Sequence, residues 1–512
     1  MAELTITRAS HHFKVSKISV RGREAVESFA KKFIQYGVQR QMGRYVTTAL
    51  KVFASALADR SEYRFHINQY EKFLEHLKLH YLDKDGLVEY RTLVIPKVRK
   101  ITLAIKEGWA PRQDQVPAID YILEDTPNKR KLLEVQTGKG KSFMSMYAGM
   151  KLECAAAYIV RPMYIDKWVI DFQKTYVLEP EDLMVIRGSN QLQALLFLAA
   201  EGELKAKILL ISNKTLQNWI KLYERIGDET LMLGYACRPD EFFELLGVGF
   251  RVIDEVHQDF HLNFKIDLNT HVERSLSLSA TLVSDDAFLN RMYEMTYPAA
   301  TRFKGFAYDK YISATAVLYR FKRPDKIRCI DHRQKTYSHH LFEESVMKDK
   351  EILANYIKMV RAVIDSEYIS DYRPGSRMLI YGAGTDFCTL LTTELRKWYP
   401  DLRIERYCGT LDDPYDNLMQ SDICVSTVSS AGTGVDIPFL RVVLLTHAIS
   451  STQSNIQGFG RLRNNLPEDI VPRFVWTVNI QTPKHMEYHD KKMDILKDKA
   501  LDLNALDYGE PL

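Results

Sequence analysis

The chain has 512 residues, 46% of them hydrophobic, which is enough for about three or four domains with their own cores. Its formal net charge is only +4, and no apolar run nears the roughly 18 residues of a membrane span; LLFLAA (Leu195–Ala200) is typical of the longest. The first residues, MAELTITRASHHFK, have no apolar secretory core, so a cytoplasmic location and no membrane partner are expected.

The charge is unevenly spread. Residues 1–110 hold 20 Lys and Arg against 11 Asp and Glu, a balance of +9, while the remainder is slightly acidic. That contrast suggests a polyanion partner for the N-terminal part. Here FKVSKISV and LVEYRTLVI read as strands, and REAVESFAKKFIQYGV (23–38) and NQYEKFLEHLKLHYL as helices. A small basic α+β module over 1–106 is predicted.

From about Lys131 short apolar runs alternate with amphipathic segments. LLEV, AAYIV, KILLIS, FRVIDE and SLSLSAT read as strands, as do RMLIYG, RIERYCG, DICVST, RVVLLTH and RFVWTV further on. KTLQNWIKLYERI and DFCTLLTTELRKWY read as helices between them. This rhythm predicts parallel α/β sheets. A charged connector, RFKRPDKIRCIDHRQK, separates the two groups of strands. The predicted units are therefore 107–300, then 301–480 including the connector, and a short tail at 481–512.

The six cysteines form no C-x-x-C pair and are expected to be reduced and structural, with no metal site of their own. The pairs His11–His12 and His339–His340 lack acidic or Cys companions at ligand spacing and are expected at the surface.

Five segments carry chemistry. LLEVQTGKGKSF (132–143) sits between a strand and a helical pattern, the setting of a phosphate loop. Thr137, Gly138, Lys139 and Gly140 would cradle phosphates, Lys141 would reach the outer ones and Ser142 would ligate Mg²⁺. The first Gly of the full phosphate-loop pattern is replaced by Val135. FRVIDEVHQ puts Asp254 and Glu255 at a strand end, where one acid can hold Mg²⁺ and the other can activate water. Ser279 and Thr281, in SLSLSATL, can hydrogen-bond the acidic segment. NIQGFGRLRN predicts a helix bearing Gln457, Arg461 and Arg463, with the arginines able to stabilise charge on a transferred phosphoryl group. A Gly-rich turn, SSAGTGVDIPFL, adds Gly434 and Asp436.

In this order the segments resemble the superfamily 2 helicases and translocases over about residues 107–480. GKGKS looks like motif I, DEVH like the DExH box, SAT like motif III, LIYGAGTD like motif IV, GTGVDIP like motif V and QGFGRLR like motif VI. AAYIVRPMYIDKW and ILLISNKTLQN resemble motifs Ia and Ib, which line the nucleic-acid track in that family. WAPRQDQVPAI looks like its R-x-x-Q segment. The resemblance implies two tandem RecA-like domains using ATP and Mg²⁺. It puts Arg112 and Gln115 near the adenine, Asp254 on Mg²⁺ and Glu255 as catalytic base. It gives His257 and Gln457 a coupling role around the γ-phosphate. Motif I in this family often lacks its first Gly. Motif VI departs from the family: the second Arg position holds Asn464 and Arg463 falls one residue early, so Arg461 or Arg463 is the finger.

Within the superfamily the order of segments 425–463 and the small N-terminal module look most like the phage UvsW type, similar to RecG in activity. That likeness implies an ATP-driven motor in bacterial host cytoplasm, unwinding or branch-migrating forked and four-way DNA in recombination, repair or replication. Two alternatives stand beside it. One is an RNA helicase. The other is a nucleic-acid-binding scaffold, or the motor subunit of a nuclease complex, with weak ATPase.

Overall fold

The computed structural model describes residues 2–41, 44–304, 309–331, 335–409, 413–431, 437–464, 466–467 and 469–512. The chain divides into two compact units. One comprises residues 1–135, 139–282 and 286–305, and the other 136–138, 283–285 and 306–512.

The first unit begins with a five-stranded sheet in the order Ser55–Ala56, Glu62–His66, His12–Ser16, Leu4–Arg8, Val88–Thr92. Helices Val20–Lys31 and Tyr70–Leu79 accompany it. The helix expected over 23–38 stops at Lys31. The N–H groups of Lys32 and Phe33 fold back onto Phe29 and Ala30, and Ile34–Gln41 pairs with Arg44–Val52 as a two-stranded ribbon. Ile34, Tyr36 and Val38 alternate with polar residues and Gly, and that period-2 pattern outweighs the helical reading.

This N-terminal part is not a free-standing module. Phe53 packs against Phe260, tilted, and Phe264, edge-on, at ring separations of 5.3 and 5.2 Å. Asp240 takes ion pairs from Lys14 at 3.1 Å and Arg64 at 3.2 Å. Two of the histidines expected at the surface are part of this seam. His11 and His12 are buried, and His11 Nε2 lies 2.6 Å from Ser275 Oγ. His339 is also buried, in the second unit. Ser275, Thr270 and Ala448, which His11, His12 and His339 reach, lie far away in sequence, so spacing could not show them.

Behind the seam lies a seven-stranded sheet, every adjacent pair parallel. Its order is Leu183–Ile186, Ile208–Ser212, Ala156–Val160, Phe250–Ile253, Arg274–Ser279, Arg130–Glu134, Arg302–Lys304. Ala156–Val160, Ile208–Ser212 and Phe250–Ile253 are buried at every position, as expected when helices cover both faces. Helix Asn213–Ile226 turns Leu216, Trp219, Ile220 and Tyr223 inward, one stripe at helical spacing.

The second unit repeats the construction. Its seven parallel strands run in the order Ile404–Tyr407, Ile423–Thr427, Arg377–Gly382, Leu440–Leu445, Arg473–Asn479, Ser313–Tyr319, Asp502–Asp507. Residues beyond 480 are not a loose tail. Helix Pro483–Leu496 packs on strand Arg473–Asn479, where Trp476 Nε1 donates to His489 Nδ1 at 3.3 Å. Asp502–Asp507 then closes one sheet edge beside Ser313–Tyr319. Among the described residues no helix is long and apolar enough to cross a membrane.

Candidate active site

In an open parallel sheet, ligands gather beyond the carboxyl ends of the strands. The first sheet brings three chemistry-bearing segments there. Strand Arg130–Glu134 leads into the loop of Thr137, Gly138, Lys139 and Gly140, then into helix Lys141–Lys151. Its neighbour, Arg274–Ser279, ends on Ser279. The next strand, Phe250–Ile253, leads into Asp254 and Glu255. One strand therefore separates the Gly-rich loop from the acids.

The loop's backbone explains its glycines. Gly138 and Gly140 have φ of +90° and +81°, where a Cβ is strained. Gly140 is the N-cap of helix Lys141–Lys151 and supplies no side-chain cap, so the first-turn N–H groups have none from that position. A Cβ on Gly140 would lie 2.5 Å from Gln115 Nε2. Gln115 is buried, and its Nε2 donates to the Lys139 carbonyl at 2.9 Å; Arg112 Nη2 donates to the same carbonyl at 3.1 Å. Gln115 Oε1 in turn accepts the Arg112 N–H at 3.1 Å. The R-x-x-Q segment thus braces the loop from outside. Lys141 is buried and its Nζ donates to the Val135 carbonyl at 2.9 Å. Ser142 is half-buried in the first turn.

The acids are held as firmly. Asp254 Oδ2 accepts the Trp168 indole N–H at 2.9 Å, and Oδ1 accepts the Glu255 N–H at 2.9 Å. Burial, then the neighbouring Glu255 charge, raises the Asp254 carboxyl above its ordinary range. Glu255 sits at φ +45°, an uncommon value for a residue with a Cβ, and marks a strained turn. Trp168, in the segment Ile165–Thr175, is a partner that the motif pattern alone does not single out.

His257 joins the acidic segment to the strand between. Its Nδ1 is 2.8 Å from Ser279 Oγ and 3.5 Å from Glu255 Oε2. Ser279 Oγ already donates to the Thr281 carbonyl at 2.7 Å and accepts the Thr281 N–H at 3.2 Å. Its one hydrogen is spent, so His257 must carry its proton on Nδ1. Burial, then the Lys141 charge, lowers His257 to about 4, which leaves it neutral at ordinary pH. One imidazole thus lies between Glu255 and the Ser279–Thr281 turn.

In the second unit, Gln457 lies on helix Thr452–Phe459 and is half-buried. That helix ends before the arginines, so Arg461 and Arg463 are not helix-borne. Gly460 is its C-cap, with its N–H on the Gly458 and Ile456 carbonyls. Arg461 is buried and bonds the Tyr381 hydroxyl, and Arg463 Nη1 donates to the Gly460 carbonyl at 2.7 Å. Gly434 and Asp436 lie outside the described residues.

The first-unit residues fit a nucleotide phosphate and a divalent ion. They present an uncapped helix start, a Lys, a first-turn Ser and two adjacent carboxylates, one of them raised by burial and by the other's charge.

No protein-family model and no curated protein matches the chain. Solved structures do. S. cerevisiae Dbp5 bound to RNA and ADP–BeF3 aligns with a TM-score of 0.50 and 12% identity, over 78% of this chain and 91% of that one. A single-substitution variant of Dbp5 with the same ligands gives 0.50 and 11%, over 78% and 90%. The ATP-dependent Type ISP restriction-modification enzyme LlaBIII bound to DNA gives 0.52 and 13%, over 83% of this chain and 33% of that one. These likenesses and the two parallel sheets make the fold one of tandem RecA-like domains.

Proposed function

We propose that the chain is a nucleic-acid-dependent ATPase, and specifically a DNA helicase or translocase that unwinds or branch-migrates forked and four-way DNA. One observation carries the ATPase reading: a Gly/Lys loop and an Asp–Glu pair at the carboxyl edge of one sheet, one strand apart, joined by His257.

On this reading Gly138, Lys139 and Gly140 offer backbone N–H groups to the phosphates, with Thr137 beside them. Lys141 exchanges its Val135 carbonyl for phosphate oxygens. Ser142 and Asp254 hold Mg²⁺, which supplies neutralisation of phosphate charge when bound. Glu255 takes the proton of the attacking water. His257 passes the state of Glu255 to Ser279 and Thr281, and Arg112 and Gln115 fix the loop and the base. For Gln457, Arg461, Arg463, Gly434 and Asp436 the roles rest on the motif resemblance: Gln457 senses the γ-phosphate, and Arg461 or Arg463 stabilises transition-state charge.

The basic N-terminal part supports a polyanion track, since phosphate contacts give grip without sequence reading. The UvsW-type order of segments favours branched DNA and, with it, recombination, repair or replication in a phage-infected bacterial cytoplasm. Of the structural neighbours, the two Dbp5 structures are bound to RNA and LlaBIII to DNA, so an RNA helicase is the competing reading.

The test is the steady-state ATPase rate with no nucleic acid, single-stranded DNA, duplex DNA, a four-way junction and single-stranded RNA at one salt concentration. Strongest stimulation by the junction is the expected result. Stimulation by RNA alone would transfer the assignment to RNA, and no turnover with any of them would leave a binding scaffold.

A further inference from the structure

The turn after strand Phe250–Ile253, residues 254–259, holds two residues in the left-handed region, Glu255 at φ +45° and Asp259 at φ +51°. Neither is a glycine, so the surrounding structure must keep the turn in shape. Two neighbouring strand ends brace it. Just past strand Ala156–Val160, Arg161 Nη1 donates to Gln258 Oε1 at 2.5 Å, and Nη2 lies 3.5 Å from Asp259 Oδ2. The other brace is buried. Asn263, on helix Phe260–Asp267, is 1% exposed, and its Nδ2 donates to the carbonyls of Gln258 at 2.8 Å and Val256 at 3.3 Å. Those two carbonyls flank His257. Asn263 Oδ1 accepts from Asn213 Nδ2 and from Gln217 Nε2, both at 3.2 Å. Both hydrogens and both lone pairs of one amide are thus used, which fixes its orientation.

Asn213 and Gln217 are the first and fifth residues of helix Asn213–Ile226, one turn apart on one face, and both are buried. This helix follows strand Ile208–Ser212 at the carboxyl edge of the first sheet. Its start has no side-chain cap. The hydroxyl of its buried N-cap residue, Ser212, has no hydrogen-bond partner among the described residues, and Lys214 is exposed in the first turn. An open helix start beside an ammonium attracts a phosphate. Asn263 therefore joins a phosphate-attracting helix start to the backbone next to Glu255.

We propose that Asn263 is a positioning residue through which a nucleic-acid backbone held at the start of helix Asn213–Ile226 sets the place of Glu255. The proposal rests on the ATPase reading above, with Glu255 as the base. A phosphate that shifts the helix start carries Asn213 and Gln217 with it. Asn263 Oδ1 follows the two amide donors, and its Nδ2 carries the Val256 and Gln258 carbonyls. The Gln258 N–H, on the Glu255 carbonyl at 2.9 Å, passes the shift back to the acid. Asn263 is too enclosed to meet either ligand, so its contribution is the coupling between them.

The test measures ATP turnover of the full chain without nucleic acid and with a saturating four-way junction, or with single-stranded RNA where RNA activates the parent more. Fluorescence anisotropy gives the affinity for the same nucleic acid. In Asn263→Ala the ratio of stimulated to unstimulated turnover should fall about tenfold, while the nucleic-acid Kd stays within about twofold of the parent's. Gln217→Ala, on the far side of the amide, should lose part of the same ratio, and the double variant should lose no more than Asn263→Ala alone. Gln217→Ala touches no residue of the acidic turn and carries the test by itself if thermal melting shows Asn263→Ala to be unfolded. A parent whose turnover no nucleic acid changes would overturn the ATPase-coupling reading and the proposal with it. A stimulated parent matched by equally stimulated variants would overturn the proposal alone, as would losses that add in the double variant or a loss confined to Kd.

Discussion

Each unit contains a strand that passes through a glycine-containing turn into a helix, and the two junctions have opposite fates. In the first unit the turn ends on Gly140 at φ +81°, the helix start has no side-chain cap from that residue, and Lys141 stands at its first position. In the second, strand Arg377–Gly382 enters helix Thr385–Trp398 through Ala383 and Gly384. Both N–H groups are taken, at 2.7 Å each, by the carboxylate of Glu343, which is 3% exposed. A helix start attracts an anion. On the proposed reading the first junction receives a nucleotide phosphate there and adds a cation, whereas the second holds the chain's own acid. Local geometry makes the junction, and the neighbouring charge decides whether it is a binding site or a structural joint.

Lys141→Ala is the strongest way to break this comparison. On the proposed reading, removing the ammonium takes away the charge that meets the outer phosphates, and we expect ATP turnover to fall roughly 10²–10³-fold, the scale of losing one preorganised electrostatic group. Glu255→Gln should lower turnover by a similar factor while nucleotide binding persists, because it removes a proton acceptor and leaves the loop intact. Fluorescent-nucleotide titration beside steady-state hydrolysis separates the two. Unchanged hydrolysis in Lys141→Ala would dissolve the contrast between the junctions.

Much of the fold was legible because buried parallel strands write themselves as apolar runs: AAYIV is strand Ala156–Val160, and RMLIYG is strand Arg377–Gly382. Strand Asp502–Asp507, DLNALD, was not legible. It is largely exposed and defined by backbone pairing with Ser313–Tyr319, and backbone pairing leaves no hydropathy trace. The site divides the same way. The residues of the Gly/Lys loop and of DEVH are adjacent in sequence and visible as patterns. The Trp168 indole on Asp254, the Gln115 brace on the loop and the Glu343 clamp join residues 86, 24 and 40 or 41 positions apart, so no local pattern holds them. The helix bearing Gln457 was readable, but its early end at Phe459 was not, because Gly458 and Gly460 flank a residue with good helical spacing.

Glu343→Gln tests the second junction. Burial raises the Glu343 carboxyl from 4.5 to about 7, with the Ala383 and Gly384 N–H groups pulling the other way. A carboxyl whose folded value is raised contributes stability that is complete below 4.5 and is lost as pH climbs through about 7. A titratable neighbour, His339 at 3.9 Å, is lowered well below its ordinary value by burial and gains no charge as pH rises. The parent should therefore lose on the order of 2–3 kcal/mol from this group between pH 5 and pH 8. Glu343→Gln should be free of that loss and pay about 1 kcal/mol at pH 5 for an amide facing an N–H donor. Thermal unfolding at the two pH values, with hydrogen exchange at helix Thr385–Trp398, reads both effects. Parallel pH curves for parent and variant would mean that Glu343 does not titrate against these amides.

The smallest contrast compares the two glycines themselves. Gly140→Ala puts a Cβ on a residue at φ +81° and drives it to 2.5 Å from Gln115 Nε2. The backbone alone costs about 1–2 kcal/mol, and Gln115 must leave the Lys139 carbonyl, so nucleotide affinity should fall with stability. Gly384→Ala meets a different surrounding. Its φ is −106°, which any residue adopts, and its Cβ would sit 3.3 Å from Glu343 Oε2 and 3.4 Å from His340 Nδ1. Each contact needs a few tenths of an ångström of yielding. Alanine also narrows the unfolded ensemble by about 0.4–1 kcal/mol, which opposes that cost. The net change at Gly384 should stay within about 0.5 kcal/mol. If the two variants melt alike, the first loop owes nothing to its left-handed glycine. If only Gly140→Ala loses both nucleotide and stability, the left-handed turn is what holds the first junction open for an anion, whereas Glu343 closes the second one.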